Sequence, residues 1–251
     1  MKIALVQLDL AWEQPEENHR RAEQKIQEAA ALGCRLVVLP EMFTCGFSFN
    51  AAKLAEEEGG ATEIFLKDVC EGLGIWVLAG VPQRQQGRAV NNAVLCSPTG
   101  AIQRFTKLHP FRFSGEHEHY AAGTEAVTWE VEGLRITPFI CYDLRFPEEF
   151  RERAAQTDAF VVIASWPERR RAHWQALLRA RAIENLCYVC GVNRVGEGGG
   201  LSYAGDSVIH DPWGEPLATA SGQEALLVAD LSAARVAEVR KTFPALDDRR
   251  H

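Results

Sequence analysis

Three residues of this chain have the chemistry of a nucleophile, a base and an electrostatic partner, and each follows an apolar run. Cys141 ends the apolar part of RITPFICYDLRFPEEF, where the chain turns polar at Tyr142-Asp143 and then enters a helix near Pro147. A cysteine at a strand-to-helix turn is presented to substrate, and nearby backbone N–H groups can hold an oxyanion. The thiolate is the reactive form, so a thiol of ordinary pKa, about 8.5, needs help to react. Glu41 ends RLVVLPEMF; Pro40 stops regular strand pairing and leaves the carboxylate at a sheet rim beside Met42, Phe43 and Phe47. Partial desolvation there raises a carboxyl pKa and makes a better base. Lys107 follows the strand IQRF in FTKLHPF. Taken singly, each has a plainer account: a buried strand-end cysteine, a solvated glutamate, a surface lysine. Taken together, three complementary groups at the carboxyl ends of strands point to one site, because sites gather there in α/β proteins.

The elements that would position them follow from hydrophobic periodicity. Strands are predicted over 1–10, 35–39, 75–81, 159–164 and 187–192, and helices over 15–32, 62–73, 148–156 and 168–185. Gly33 stops the first helix in the usual manner of a C-terminal glycine. Hairpins are predicted for 93–96 with 101–105, for 127–131 with 135–140, and for 208–210 with 225–230 through the turn at 212–215. Helical crossovers interleaved with hairpins imply a mixed α/β sheet system with helices outside. No linker or internal repeat interrupts residues 1–251, which are read as one domain, with Gly196 to Gly200 a mobile loop.

Composition narrows the function class. The 251 residues are 47% hydrophobic and 24% charged, with net charge -7. An acidic chain lacks the clustered Lys and Arg that nucleic acid or an anionic membrane requires. The opening MKIALVQLDLAW is broken by Gln7 and Asp9, unlike a signal peptide, and no apolar run reaches membrane-span length, so a cytoplasmic protein is expected. Seven scattered cysteines do not read as a disulfide framework. Cys187 and Cys190 have redox or zinc spacing but lie in an apolar strand and read as core; His117-Glu118-His119 lacks a third ligand, and no metal is expected. No phosphate loop is present, since Gly196 to Gly200 lacks the strand-and-lysine context.

PEMF at 40–43, TKLHPF at 106–111 and ICYDLRFPE at 140–148 resemble, in order and separation, the three signature blocks of the nitrilase (carbon–nitrogen hydrolase) superfamily. The likeness runs to about Asp230. It implies a Glu41–Lys107–Cys141 trio of base, lysine and nucleophile, with a second glutamate at Glu116 (Glu118 the alternative) upstream of Gly123. It implies a four-layer αββα sandwich, commonly dimerised into an αββα–αββα stack, and no cofactor. SWPERRRAHWQALLRARAIENLCYVCGVNRVG at 165–196 and YAGDSVIHDPWGE at 203–215 are similar to the omega-amidase branch, whose members hydrolyse the terminal amide of small 2-oxo acids such as 2-oxoglutaramate. On that reading the thiolate attacks the amide carbon, Lys107 and the Tyr142 N–H hold the oxyanion, and Phe43 and Trp166 wall the pocket. Arg145, Arg169 or Arg170 would pair with the substrate carboxylate, because a guanidinium fork fits it. A nitrilase or an N-carbamoyl amidohydrolase of the same superfamily is the nearer alternative, and a non-catalytic binding module the more distant one. A homodimer is expected, with apolar residues of Val236 to Phe243, in the last twenty or so residues, lying across the partner.

Overall fold

The computed structural model describes residues 1–249. A first sheet takes β1 (Lys2–Gln7), β2 (Leu36–Val38), β3 (Trp76–Gln85), β4 (Arg88–Cys96) and β5 (Ile102–Thr106). A second takes β6 (Trp129–Val131), β7 (Leu134–Ile140), β8 (Ala159–Ala164) and β9 (Tyr188–Asn193). The hairpin of β10 (Val195–Gly198) and β11 (Leu201–Ala204) follows, and β12 (Ser207–His210) and β13 (Pro216–Ala220) then extend the second sheet. The last strand, β14 (Ala225–Asp230), returns to pair with β1. The orders are β14-β1-β2-β3-β4-β5 and β13-β12-β9-β8-β7-β6. Each sheet is built on three parallel strands, β1–β2–β3 and β7–β8–β9, with antiparallel strands outside them.

Side-chain period explains the layers. Successive residues of a strand face opposite sides. Ile3 and Leu5 of β1 therefore pack toward the second sheet, while Ala4 and Val6 pack under helices. Those helices are α1 (Pro15–Ala31), which turns Ala22, Ile26 and Ala29 inward, and α3 (Ala61–Leu73), which turns Leu66, Val69 and Cys70 inward. The short α2 (Ala51–Leu54) and α4 (Glu116–His119) lie in loops. On the far side, α5 (Pro147–Arg153) and α6 (Arg171–Asn185) cover the second sheet with Phe150, Trp174, Leu178 and Ala182. The result is helix, sheet, sheet, helix: the αββα sandwich that the family resemblance implies, and a form of the mixed α/β system with outer helices that the element pattern predicts. A final helix, α7 (Ala233–Thr242), buries Val236 and Val239 in its own fold. Arg240 fastens it by donating to the carbonyl oxygens of Ala154 and Thr157, each at 2.8 Å. The apolar residues expected to face a partner are thus largely used within the chain.

Three details depart from expectation. Segment 225–230 does not pair with 208–210; the turn at 212–215 leads into β13, and β14 crosses to the other sheet. Pattern reading misses β13 because it opens on Pro216 and is mostly exposed, as an edge strand can be. Strand β3 runs on through Pro82 to a turn at Gln86-Gly87, pairing with all of β4. Proline is tolerated there because β2 pairs only with residues up to Leu78, so no neighbour needs the missing donor. Lastly, the run Gly196 to Gly200, expected as a mobile loop, belongs to the β10–β11 hairpin: residues 196–198 pair within β10, and Gly199-Gly200 make the turn.

Candidate active site

Five strand ends converge. Beyond β2 the chain reaches Glu41, beyond β5 Lys107, beyond β7 Cys141, beyond β8 Ser165 and Trp166, and Asn193 closes β9. Two of these turns are backbone-strained. Met42, next to Glu41, has φ 46°, and Cys141 itself has φ 48°. A left-handed non-glycine residue costs on the order of 1 kcal/mol or more and persists where the surroundings impose it. At Glu41 the imposing element is β3. A Cβ on Gly80 would lie 2.5 Å from the Glu41 Cα, so only glycine lets the strand pass. Gly123 performs the same service for Lys107, donating to its carbonyl at 2.8 Å where a side chain would strike the Thr106 carbonyl.

The buried charges are arranged around Lys107. Its ammonium donates to Glu41 Oε1 at 2.9 Å and to both Glu116 oxygens at 3.0 and 2.9 Å. Asn91, on β4, donates from Nδ2 to Glu41 at 2.8 Å and to Glu116 at 3.1 Å, bridging two like charges. Glu41 Oε2 accepts the Ser165 amide at 2.8 Å, and Glu116 Oε2 accepts the Phe111 amide. All three charged residues are at most 1% exposed. Burial opposes the charge on Lys107, but Glu116 and Glu41 outweigh it and hold the amine above the usual lysine range. Cys141 is pushed the other way from a thiolate: burial first, then the Glu41 charge, raise its thiol well above the ordinary value, while Lys107 and the Ser165 amide pull back. A thiolate added to two carboxylates and one ammonium would be a further anion, so the resting sulfur keeps its proton.

The nucleophile's turn, a 3-10 helix over Cys141–Arg145, is held by Asp143. One carboxylate oxygen accepts the Ile140 amide at 3.0 Å; the other accepts the His109 amide at 2.8 Å and lies 3.0 Å from His109 Nδ1. Asp143 thereby ties the turn bearing Cys141 to the loop bearing Lys107. Asn193 fixes the third wall, accepting the Trp166 amide at 2.7 Å and donating to the Trp166 carbonyl at 3.0 Å.

These groups border a cavity of about 50 Å³ whose lining includes Lys107, Cys141, Tyr142, Ser165, Trp166 and Phe47. That is room for an amide head, so the remainder of a ligand must extend to the mouth. There Arg145, Arg169 and Arg170 line the rim. Arg145 lies 4.8 Å over the Trp166 ring, and Arg170 lies 5.0 Å over Phe111. None of the three makes an ion pair with a carboxylate among the described residues; the one side-chain hydrogen bond of Arg145 there is to His173 Nδ1, at 3.1 Å. Burial and the like charges of Arg169 and Arg145 hold Arg170 below the usual guanidinium range. A larger groove of about 810 Å³ lies by Arg84, Arg104 and Glu125, but it contains none of the converging groups. No set of three His, Cys, Asp or Glu residues is arranged to hold a metal among the described residues.

The structure thus brings Glu41, Lys107, Glu116, Cys141, Tyr142, Arg145 and Trp166 to one place. Glu118, the alternative to Glu116, is exposed on the outer side of α4. Phe43 is a correction. The left-handed Met42 reverses the chain immediately after Glu41, and Phe43 goes under α1 and α3, beside His19 and Phe65. Phe47 reaches the cavity instead, with Lys107 5.3 Å from its ring centre. Asn91, Asp143, Ser165 and Asn193 escaped the sequence reading. Only Asn91 carried a signal, an amide pair within the apolar run AVNNAVLC.

Comparison with known proteins agrees with this geometry. The carbon-nitrogen hydrolase family matches residues 2–241. The chain is 40% identical to an omega-amidase of Escherichia coli strain K12, over 99% of this chain and 96% of that protein. It is 34% identical to a 2-oxoglutaramate amidase of Bacillus subtilis strain 168, over 98% and 96%. A superfamily protein from Xanthomonas campestris, solved with an arsenic adduct in its active site, superposes with a TM-score of 0.96 at 40% identity, covering 100% of this chain and 97% of that one.

Proposed function

The chain belongs to the carbon–nitrogen hydrolase family as an amide-hydrolysing enzyme, and we propose that its substrate is the terminal amide of a small 2-oxo acid, 2-oxoglutaramate or a close relative. The observation that carries this reading is the rim of three guanidiniums without carboxylate partners above a cavity floored by Cys141 and Lys107. A ligand with an amide at one end and a carboxylate at the other satisfies both. A nitrile or neutral amide leaves the rim unpaired. The names of the Escherichia and Bacillus relatives support the same class.

In the mechanism we propose, Glu41 takes the thiol proton as sulfur attacks the amide carbon, so ionisation and bond formation are coupled. Lys107 and the Tyr142 N–H stabilise the oxyanion. Glu41 returns the proton to nitrogen, the C–N bond breaks and ammonia leaves. Water then adds to the thioester as Glu41 accepts its proton; the C–S bond breaks, and the thiol is restored. Glu116, through its hydrogen bonds, holds the Lys107 ammonium in place.

The test is kcat/KM for 2-oxoglutaramate against an uncharged amide of equal length. A charge-assisted contact of about 1.5–3 kcal/mol predicts roughly ten- to a hundredfold preference for the acid. Equal values, or preference for the neutral amide, would refute the substrate and leave the cysteine chemistry standing.

We further propose a cytoplasmic homodimer. Trp213 and Phe243, with ring centres 5.9 Å apart, form with Ile183 an exposed apolar patch on the α6 side. All seven cysteines are free, as in a reducing compartment. A monomer by sedimentation at micromolar concentration would contradict the dimer.

A further inference from the structure

The proposed substrate has three polar groups, and two are accounted for: the amide at Cys141 and the carboxylate at the rim. The keto oxygen between them is not. Tyr203, on β11, offers a donor. Leu201 lines the Cys141 cavity, and Tyr203, two residues on along the same strand, shares its face. Tyr203 is 5% exposed, and the Arg194 guanidinium lies over its ring at 4.6 Å. Arg194 is in turn pinned to the carbonyls of Glu197 at 2.8 Å and Leu10 at 3.1 Å, so the ring is clamped from behind. The Tyr203 hydroxyl forms no hydrogen bond among the described residues, nor is it a fully enclosed orphan atom. By contrast, Tyr120, also buried, donates to the Ser48 carbonyl at 2.9 Å. Buried phenols normally have partners. Tyr203 does not itself line the Cys141 cavity, but on the same strand face as the lining residue Leu201 its unpartnered hydroxyl is a donor open to a ligand that extends past Leu201. Burial, with the charge of Glu41 and against the pull of the Arg194 guanidinium, pushes this phenol up to about 12, so it keeps its proton.

Resting on the substrate reading above, we propose that Tyr203 is a specificity-determining residue whose hydroxyl donates a hydrogen bond to the 2-keto oxygen of the substrate. The carboxylate selects for an acid; Tyr203 selects, among acids, those carrying the keto group.

The test compares wild type and Tyr203→Phe on 2-oxoglutaramate and on glutaramate, which keeps the amide and carboxylate but has a methylene at position 2. Tyr203→Phe retains the ring under Arg194. It should lower kcat/KM for 2-oxoglutaramate about five- to tenfold, chiefly through KM, and leave glutaramate unchanged. Inhibition gives a second readout independent of turnover. 2-Oxoglutarate should inhibit the wild type more strongly than glutarate does, and the variant should not distinguish them. Equal loss on both substrates, or no loss on either, overturns the assignment. A wild type that turns over both acids equally, yet disfavours a neutral amide, overturns it while leaving the carboxylate reading intact. A wild type that prefers the neutral amide overturns both.

Discussion

The floor and the mouth of the cavity handle charge in opposite ways. At the floor, Lys107, Glu41 and Glu116 are sealed from solvent and tied to one another at 2.9–3.0 Å, with Asn91 bridging the carboxylates. A buried charge deprived of its partner costs several kcal/mol, so such a cluster is stable only when complete. At the mouth, Arg145 and Arg170 are half-buried and Arg169 exposed, the first two laid against aromatic faces, and none of the three is matched by a carboxylate among the described residues. Complete pairing fixes geometry before substrate arrives, which is what electrostatic catalysis needs. Incomplete pairing is binding capacity. Breaking the floor should therefore alter the chemical step, and breaking the mouth should alter selection.

The largest effect is expected at the sulfur. Cys141→Ala should reduce ammonia release by about 10⁴-fold or more, since a covalent nucleophile is lost. Its melting temperature should stay within a few degrees of wild type, because only one atom at the cavity edge is removed. Near-normal turnover would end the comparison at once. Glu41→Gln comes next, with a loss of about 10²- to 10⁴-fold for removal of a general base. It also carries a sign. The Glu41 charge helps keep the Cys141 thiol protonated, so its removal should let Cys141 ionise at lower pH, whereas Lys107→Met should move ionisation higher. Thiolate absorbance against pH, referenced to Cys141→Ala, reads both shifts; the same direction for both variants would contradict the electrostatic account.

Effects at the mouth should be smaller and different in kind. Arg145→Gln or Arg170→Gln should raise KM for 2-oxoglutaramate roughly ten- to a hundredfold and leave a neutral amide nearly unaffected. A fall in kcat for every substrate alike would instead assign the arginine to the floor. The smallest change is expected at Cys187 and Cys190, both fully buried. Alanine at either should cost about 1 kcal/mol of stability, measured by denaturant midpoint, with specific activity unchanged.

How much of this the sequence carried depends on whether a residue's role is local. Glu41, Lys107 and Cys141 were legible because each follows a recognisable apolar strand, and strand ends are where α/β sites form. Strands β7, β8 and β9 were legible because parallel strands buried on both faces read as continuous apolar runs. Phe43 was misread because its direction depends on the backbone sign at Met42, which apolar pattern does not encode. Asp143 and Asn193 were missed because their work is to accept amide hydrogens from chain segments 34 and 27 residues away, a relation that exists only once the sheets are assembled. Strand β14 was assigned to the wrong sheet because an apolar hexamer of that length fits either edge, and only closure against β1 decides between them.

The central claim is that Cys141 carries the acyl group. Rapid acid quench of the enzyme turning over 2-oxoglutaramate, followed by intact and peptide mass, tests it most directly. The account predicts a transient mass gain equal to the substrate less ammonia, located on the peptide containing Cys141 and absent from Cys141→Ala. Turnover that proceeds with Cys141 unmodified at every time point, or an adduct on a different residue, would contradict it.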